Sequence, residues 1–319
     1  MLFAYAHEQG KLTALDKGID LASAIWIDLY RPLPEQVARV AALGVEVPTL
    51  EDMEEIEISN RLYRENGTDY ITVVLPGLSE SKMPLSGPVT FILTPQRLVT
   101  VRHHAPRPFE TYPLRADKTG PGCATPDALF LGLIEEVIGR LADLLEGSGR
   151  AMEAVTRAIY ADDEAQKTAT ALQAALVKVG RESDLIARIR LSLLTMERAV
   201  GFFATRLTDK RNDGMRVAAK GVLRDIAALE VHGDYLTTRV AQATDATLGL
   251  INLLQNGTVK IVSVVAVLFL PPTLIASIYG MNFHSMPELD KAWGYPMALG
   301  LMVASGAVTW AYFRWKKWL

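Results

Sequence analysis

The sequence predicts an α+β protein: a water-soluble N-terminal α/β domain, long helices after it, and two C-terminal helices that cross a membrane. Three observations predict this. Two uncharged apolar runs close the chain, 261–278 (IVSVVAVLFLPPTLIASI) and 295–313 (YPMALGLMVASGAVTWAYF). At about 1.5 Å per residue, the first makes roughly 27 Å of helix, close to the hydrocarbon thickness of a bilayer. Long tracts of helical periodicity precede these runs, and short strand-like segments separated by turn signals precede the tracts.

Residues 1–122 read as the α/β domain. Segment 24–30 (AIWIDLY) alternates as a strand does, and 34–43 reads as a short helix opened by Pro34. Segments 61–64 and 70–75 flank Asn66-Gly67, a pair suited to a two-residue hairpin turn. Segments 89–93 and 98–102 flank Thr94-Pro95-Gln96, a second hairpin. Pro106, Pro108, Pro113 and Gly120-Pro121-Gly122 mark the end of the domain.

Residues 123–257 read as a long-helix stalk. Thr125-Pro126-Asp127 is a helix start, with proline in the first turn. Helical tracts run over roughly 126–159, 163–209 and 215–257, broken at Asp162-Asp163 and at 209–214 (DKRNDG). The third carries a coiled-coil seam: Val222, Ile226, Leu229, Gly233, Leu236, Val240, Ala243, Thr247, Leu250 and Leu254 alternate spacings of four and three. Gly233 and Thr247 weaken it. No proline separates this tract from the first apolar run, so one helix from about 214 to 278 is expected, on the order of 95 Å long. It calls for partner helices within the chain and across subunits. The alternative is three separate soluble helices with a break at 255–257.

The remainder divides into a first span (258–280), a loop (281–294), a second span (295–313) and a basic tail (314–319). Lys260, Arg314, Lys316 and Lys317 flank the outer ends of the spans, while the loop sets Lys291 against Glu288 and Asp290. Lys/Arg-rich flanks stay inside, so both termini are expected in the cytoplasm, with the loop outside a multi-pass cell (inner) membrane protein in contact with lipid. Trp293 and Tyr295 make one aromatic belt, and Trp310, Tyr312 and Trp315 the other. The competing reading makes both runs core helices of a soluble protein. A net charge of −3 and the lack of a basic face argue against nucleic acid as a partner. One cysteine, Cys123, allows no internal disulfide and suits a reducing compartment. The start, MLFAYAHEQG, has neither the basic end nor the apolar run of a signal peptide.

No phosphate loop, nucleophile elbow or zinc-protease motif occurs, so an enzyme is not expected. His103-His104 reads as a surface pair rather than a metal site, and Cys123 as a buried or idle thiol. The candidates for function lie on the first span. One face reads Asn256, Val259, Val262, Ala266, Leu270, Thr273 and Ser277, polar near both ends and apolar between. In a symmetric oligomer this stripe makes a polar mouth, an apolar constriction and a polar exit, which can gate by dewetting. Rings at Val262 and Leu270 would be tighter than one at Ala266. The alternative is that the stripe packs against the second span. Two spans cannot enclose a water-filled path, so a pore requires a homo-oligomer. Pro271-Pro272 frees backbone carbonyls within the span and adds either a functional kink or a structural bend.

At Tyr279-Gly280-Met281-Asn282 the sequence resembles the CorA family of divalent cation transporters, whose hallmark is a Gly-Met-Asn triplet after the first span. The flanks agree: Phe269-Leu270-Pro271-Pro272-Thr273 before it, Met286-Pro287-Glu288-Leu289 and Trp293-Gly294-Tyr295-Pro296 after it, and Lys316-Lys317-Trp318-Leu319 at the end. Asp245-Ala246-Thr247-Leu248-Gly249 and Gln255-Asn256 extend the likeness upstream; Trp26-Ile27-Asp28-Leu29 and Pro88-Val89-Thr90-Phe91 fit loosely.

The resemblance implies a homopentameric funnel whose five first spans line the pore. It implies uptake of Mg²⁺, with Co²⁺ or Ni²⁺ as further substrates, an ion-selecting mouth at Gly280, Met281 and Asn282, and gating by intracellular Mg²⁺ bound between cytoplasmic domains. Asp245 matches a stalk-helix aspartate of the family by its distance from Asn256. Asp225, Asp234 and the acidic run Glu51, Asp52, Glu54, Glu55 and Glu57 are further regulatory candidates, or simply solvated faces. Mg²⁺ sheds water reluctantly, so a neutral ring of Asn282 amides and Gly280 carbonyls suits a hydrated ion, while Glu288 and Asp290 can concentrate cations at the mouth. A zinc-transporting relative of the same superfamily and a membrane-anchored coiled-coil scaffold without a pore are the alternatives.

Overall fold

Leu2, Ala4 and Ala6 turn to one side of strand β1 (Leu2–Glu8), which reverses through Gln9 and Gly10 into β2 (Lys11–Ala14). These two turn residues have φ of 50° and 82°, the left-handed pair that fits the twist of a tight hairpin. In this computed structural model, residues 1–16, 20–160, 168–207, 213–281, 286–288, 290–316 and 318 are described. Their contacts divide the chain into two units, Met1–Tyr160 with Leu176–Thr244, and Ala161–Ala175 with Asp245–Leu319.

The first unit is built on a seven-stranded sheet. Its further strands are β3 (Trp26–Tyr30), β4 (Leu62–Glu65), β5 (Thr68–Leu78), β6 (Pro84–Leu93) and β7 (Leu98–Arg102), in the order β2-β1-β3-β7-β6-β5-β4. Only β3 and β7 run parallel. Both expected hairpins form. Asn66 and Gly67, at φ 48° and 78°, join β4 to β5, and β6 returns into β7.

Short helices cover one face: α1 (Pro34–Ala41), α2 (Leu50–Glu54) and α3 (Ile58–Arg61). Val40 of α1 and Met53 of α2 join Ile27, Leu29, Ile92, Val99 and Val101 in one buried cluster. On the other side lie α4 (Pro108–Thr111) and two long helices, α5 (Pro126–Tyr160) and α6 (Ala169–Ala204). The Thr125 hydroxyl accepts from the Ala128 N–H and caps α5, as the Thr-Pro-Asp signal predicts. Phe91 of the sheet meets Phe130 of α5 edge-on at 5.3 Å, and Phe130 meets Phe203 of α6 at 4.8 Å. Between these layers a buried polar network joins β3 to β7. Arg102 donates to both Asp28 oxygens, Thr100 donates to Asp28, and the Trp26 indole donates to Thr100.

Helix α7 runs over Asp213–Tyr279 without the alternative break at 255–257. Within the first unit its seam is buried at Val222, Ile226, Leu236, Val240 and Ala243. Gly233 interrupts the apolar seam for a steric reason: a Cβ there would lie 3.3 Å from the Arg190 stem of α6. In the second unit α7 continues through Pro271 and Pro272, and α8 (Gly294–Trp315) carries the second apolar run. Only 6% and 11% of the two apolar windows are buried in the chain, so neither is the core helix of a soluble fold.

Candidate functional site

The first span has two faces. Val264 is buried, and Leu268, Pro271, Pro272, Ile275 and Tyr279 are partly covered. By the 3.6-residue repeat these positions share one side of the helix. On α8 the least exposed positions are Gly294, Met297, Ala298, Met302, Ser305, Gly306, Thr309 and Phe313, again one stripe, with small residues at its middle. A Cβ on Gly306 would touch Pro272 Cγ at 3.9 Å, which places the two covered stripes together. Small residues let apolar helices approach closely where lipid supplies no hydrophobic drive.

Asn256, Val259, Val262, Ala266, Leu270, Thr273 and Ser277 are all exposed, on the opposite side of α7. The stripe therefore does not pack against the second span of its own chain. The Thr273 hydroxyl donates to the Phe269 and Leu270 carbonyls, 2.9 Å each. Its free lone pairs are then acceptors. Beyond the last turn, the Gly280 N–H donates to Ala276 O at 2.9 Å, and Met281 is exposed. Asn282 lies outside the described residues. Glu288 is half-buried and Asp290 exposed in the turn before α8. Basic side chains rest on the aromatic belts: Lys260 over Trp318, Arg314 over Trp310 and Lys291 over Trp293, at 5.8, 5.0 and 5.3 Å.

The acids lie apart. Among the described residues, no three of His, Cys, Asp and Glu come close enough to hold a metal ion. Glu51, Glu54, Glu55 and Glu57 are exposed, but Asp52 is committed to its own helix. The Thr49 hydroxyl and N–H both donate to Asp52, which holds its carboxyl below the usual range. Asp234 pairs with Arg190 at 2.7 Å. Asp225 and Asp245 are exposed.

Sequence reasoning missed Glu135. It lines a 340 Å³ cleft with Asp225, between α5 and α7. Burial raises the Glu135 carboxyl, the Asp225 charge raises it further, and a Gly120 hydrogen bond opposes both. The only sequence signal for this was an acidic pair on a largely apolar helix.

His103-His104 is not a surface pair. His103 is half-buried, and His104 is buried against Gly77 and Gly87, with Nε2 2.9 Å from the Leu75 carbonyl. Burial holds its imidazole down at about 4. Two glycines far away in sequence vacate that space, so the dipeptide alone could not reveal it. Cys123 is buried, its thiol donating to Gly10 O at 3.3 Å.

The family described as CorA-like Mg²⁺ transporter protein matches residues 22–317. The magnesium transport protein CorA of Yersinia pseudotuberculosis is 34% identical over 322 residues, covering 100% of both chains. That of Escherichia coli is 33% identical over 322 residues, with the same coverage. The CorA magnesium transporter from Methanocaldococcus jannaschii shares the fold, with a TM-score of 0.75 at 19% identity over 100% of this chain and 99% of that one. With the family matched over nearly its whole length and full-length relatives at a third identity, the chain belongs to the CorA family of magnesium transporters.

Proposed function

We propose that this chain transports Mg²⁺ across the cell (inner) membrane as one subunit of a homopentamer, with Co²⁺ and Ni²⁺ as further substrates. The observation that carries the pore reading is the uncharged stripe from Asn256 to Ser277, exposed on the side of α7 turned away from α8. Five such faces turned inward make an apolar constriction at Val262 and Leu270 between polar ends. Lys260, Arg314, Lys316 and Lys317 keep both termini in the cytoplasm.

The ion passes hydrated. Gly280 carbonyls and Asn282 amides at the outer mouth, and the Thr273 oxygens below, accept hydrogen bonds from its water shell. Neutral acceptors hold it weakly enough for release. Glu288 and Asp290 gather cations outside. Entry needs no ATP: a +2 charge moving inward gains about 4.6 kcal/mol per 100 mV of inside-negative potential. Intracellular Mg²⁺ closes the path by neutralising neighbouring carboxylates, either within the α5–α7 cleft of one subunit or across a subunit boundary. Asp225 with Glu135 is the leading pair, Asp245 the next, and the Glu51–Glu57 run a weaker candidate.

The test is flux into proteoliposomes with Mg²⁺, Co²⁺, Ni²⁺ and Zn²⁺ in parallel, for the native chain and Asn282→Ala. Potential-driven Mg²⁺ uptake is expected, lost in the variant while the assembly stays intact. Zn²⁺ uptake without Mg²⁺ uptake would assign the chain to a zinc-transporting branch. Near-normal flux in the variant removes Asn282 from the mouth.

A further inference from the structure

Two cavities meet on the first unit, away from the spans. One, of 510 Å³, lies where α4 and the turns after it face α5; Arg107, Arg115, Arg140, Glu136 and Asp143 are among its lining residues. The other, of 430 Å³, lies between the ends of β5 and β6 and helices α5 and α6, with walls that include Leu78, Leu85, Leu144 and Leu185. Arg107 and Arg140 line both. Each volume is in the range of small-molecule sites.

The charges are not self-satisfied. Arg115 pairs with Glu136 at 3.7 Å, and Thr111 also donates to Glu136. Arg188, at the edge of the apolar cavity, pairs with Asp184 at 2.8 Å. Arg107 and Arg140 make no ion pair among the described residues, although both stand where the polar and apolar cavities join. Guanidinium groups in that position suit phosphate oxygens. Asp143 and Glu136 beside them would repel a bare polyphosphate. They suit one that carries a divalent cation, whose bound waters donate to carboxylates. The apolar cavity beside the arginines suits a flat, weakly polar ring.

We propose that this double cavity binds the magnesium complex of a nucleoside triphosphate. The phosphates lie against Arg107 and Arg140, the Mg²⁺ waters face Glu136 and Asp143, and the base lies between Leu85, Leu144 and Leu185. The proposal stands independently of the pore reading.

The test is calorimetric titration of the full-length protein in detergent with Mg·ATP, with Mg²⁺ alone, with ATP plus a chelator, and with Mg·tripolyphosphate. Mg·ATP should bind at millimolar concentration or below, and the other three more weakly. Arg140→Gln and, separately, the more exposed Arg107→Gln should each weaken Mg·ATP by about tenfold. Arg150→Gln, on α5 but outside both cavities, should not. Leu85→Gln should weaken Mg·ATP and leave Mg·tripolyphosphate unchanged. Absence of Mg·ATP heat, or Mg·ATP affinity unchanged from the native protein in both cavity arginine variants, overturns the site. Equal binding of Mg·tripolyphosphate and Mg·ATP overturns the nucleoside assignment, and equal binding of ATP without Mg²⁺ overturns the metal's part. If Arg140→Gln melts far below the native protein, Arg107→Gln decides alone.

Discussion

Val262 and Val264 are two residues apart on the first span and face opposite ways: Val262 is 63% exposed and Val264 3%. About half a helix turn thus separates a side chain that packs within the chain from one that awaits a partner. The two should answer differently to the same change. Val262→Ser should leave the melting temperature nearly unaltered and raise ion leak when cytoplasmic Mg²⁺ is high, because a polar ring wets the constriction. Val264→Ser should lower the melting temperature, by loss of packing within the chain, with little leak in the protein that remains folded. Leak in proteoliposomes and thermal unfolding in detergent separate them. Equal leak from both would place the constriction elsewhere.

Asp69 gathers two guanidinium groups at the edge of the sheet. It is 1% exposed, with Arg64 across the hairpin and Arg206 at 3.1 Å, just beyond the end of α6. The ion pair therefore ties β5 to the end of a helix more than a hundred residues later. Removing this buried carboxylate takes charge-assisted hydrogen bonds from two partly exposed guanidinium groups, of which Arg206 keeps Asp127 at 3.9 Å. Asp69→Asn should cost about 2 kcal/mol, read as a fall in the denaturant midpoint of the first unit. A surface variant such as Asp184→Asn should cost under about 1 kcal/mol.

His104 gives an acid limb. Burial lowers its imidazole to about 4 from an ordinary 6.5, so on acidification the unfolded chain takes up the proton first. The sign follows from linkage: stability is full above about 6.5, declines as pH falls, and levels off near 4. The loss is on the order of 3 kcal/mol, and it should be largely absent in His104→Asn when melting is followed across that window. Half-buried His103 is shifted the same way and adds a smaller slope. An unchanged slope in the variant would show that other groups set the acid limb.

Much of this was legible in the chain because local signals and tertiary packing agree. Asn66-Gly67 makes its hairpin, Thr125 caps α5, and the heptad seam of α7 is buried at most positions from Val222 to Thr247, though Leu254 at its end is exposed. The β1–β2 hairpin was not marked. Its turn, Gln9-Gly10, is a weak signal, and β2 is four residues with a mostly exposed pattern. The parallel pairing of β3 with β7 leaves no local trace, since the register from Trp26–Leu98 to Tyr30–Arg102 joins segments seventy residues apart. The stripe on the first span was legible as a stripe. Its direction was not, because only the small-residue face of α8 settles which side α7 covers. Acid runs were the least informative. Asp52 turned out to be a cap and Asp234 an ion-pair partner, while Glu135 gained its neighbour only through the fold.

That neighbour leads to the regulatory prediction. Glu135 and Asp225 face one 340 Å³ cleft, and the raised Glu135 carboxyl reflects burial together with the Asp225 charge. Two carboxylates in one cleft repel, and a divalent cation relieves the repulsion in whichever state brings them together. Mg²⁺ then favours that state by its differential affinity, and its removal loosens it. Asp225→Asn with Glu135→Gln removes both the repulsion and the ligand. The double variant should unfold no sooner than the native protein without Mg²⁺. It should gain less protection from proteolysis when Mg²⁺ is added, and its uptake should close only at higher internal Mg²⁺. Each single variant should fall between, since either carboxylate alone still attracts the ion. Asp245→Asn is the comparison on the same helix, exposed and without an acidic neighbour in that cleft. If Asp245→Asn shifts the Mg²⁺ dependence and the Glu135–Asp225 variants do not, the sensing carboxylates lie nearer the membrane, and the cleft is only a solvated gap between α5 and α7.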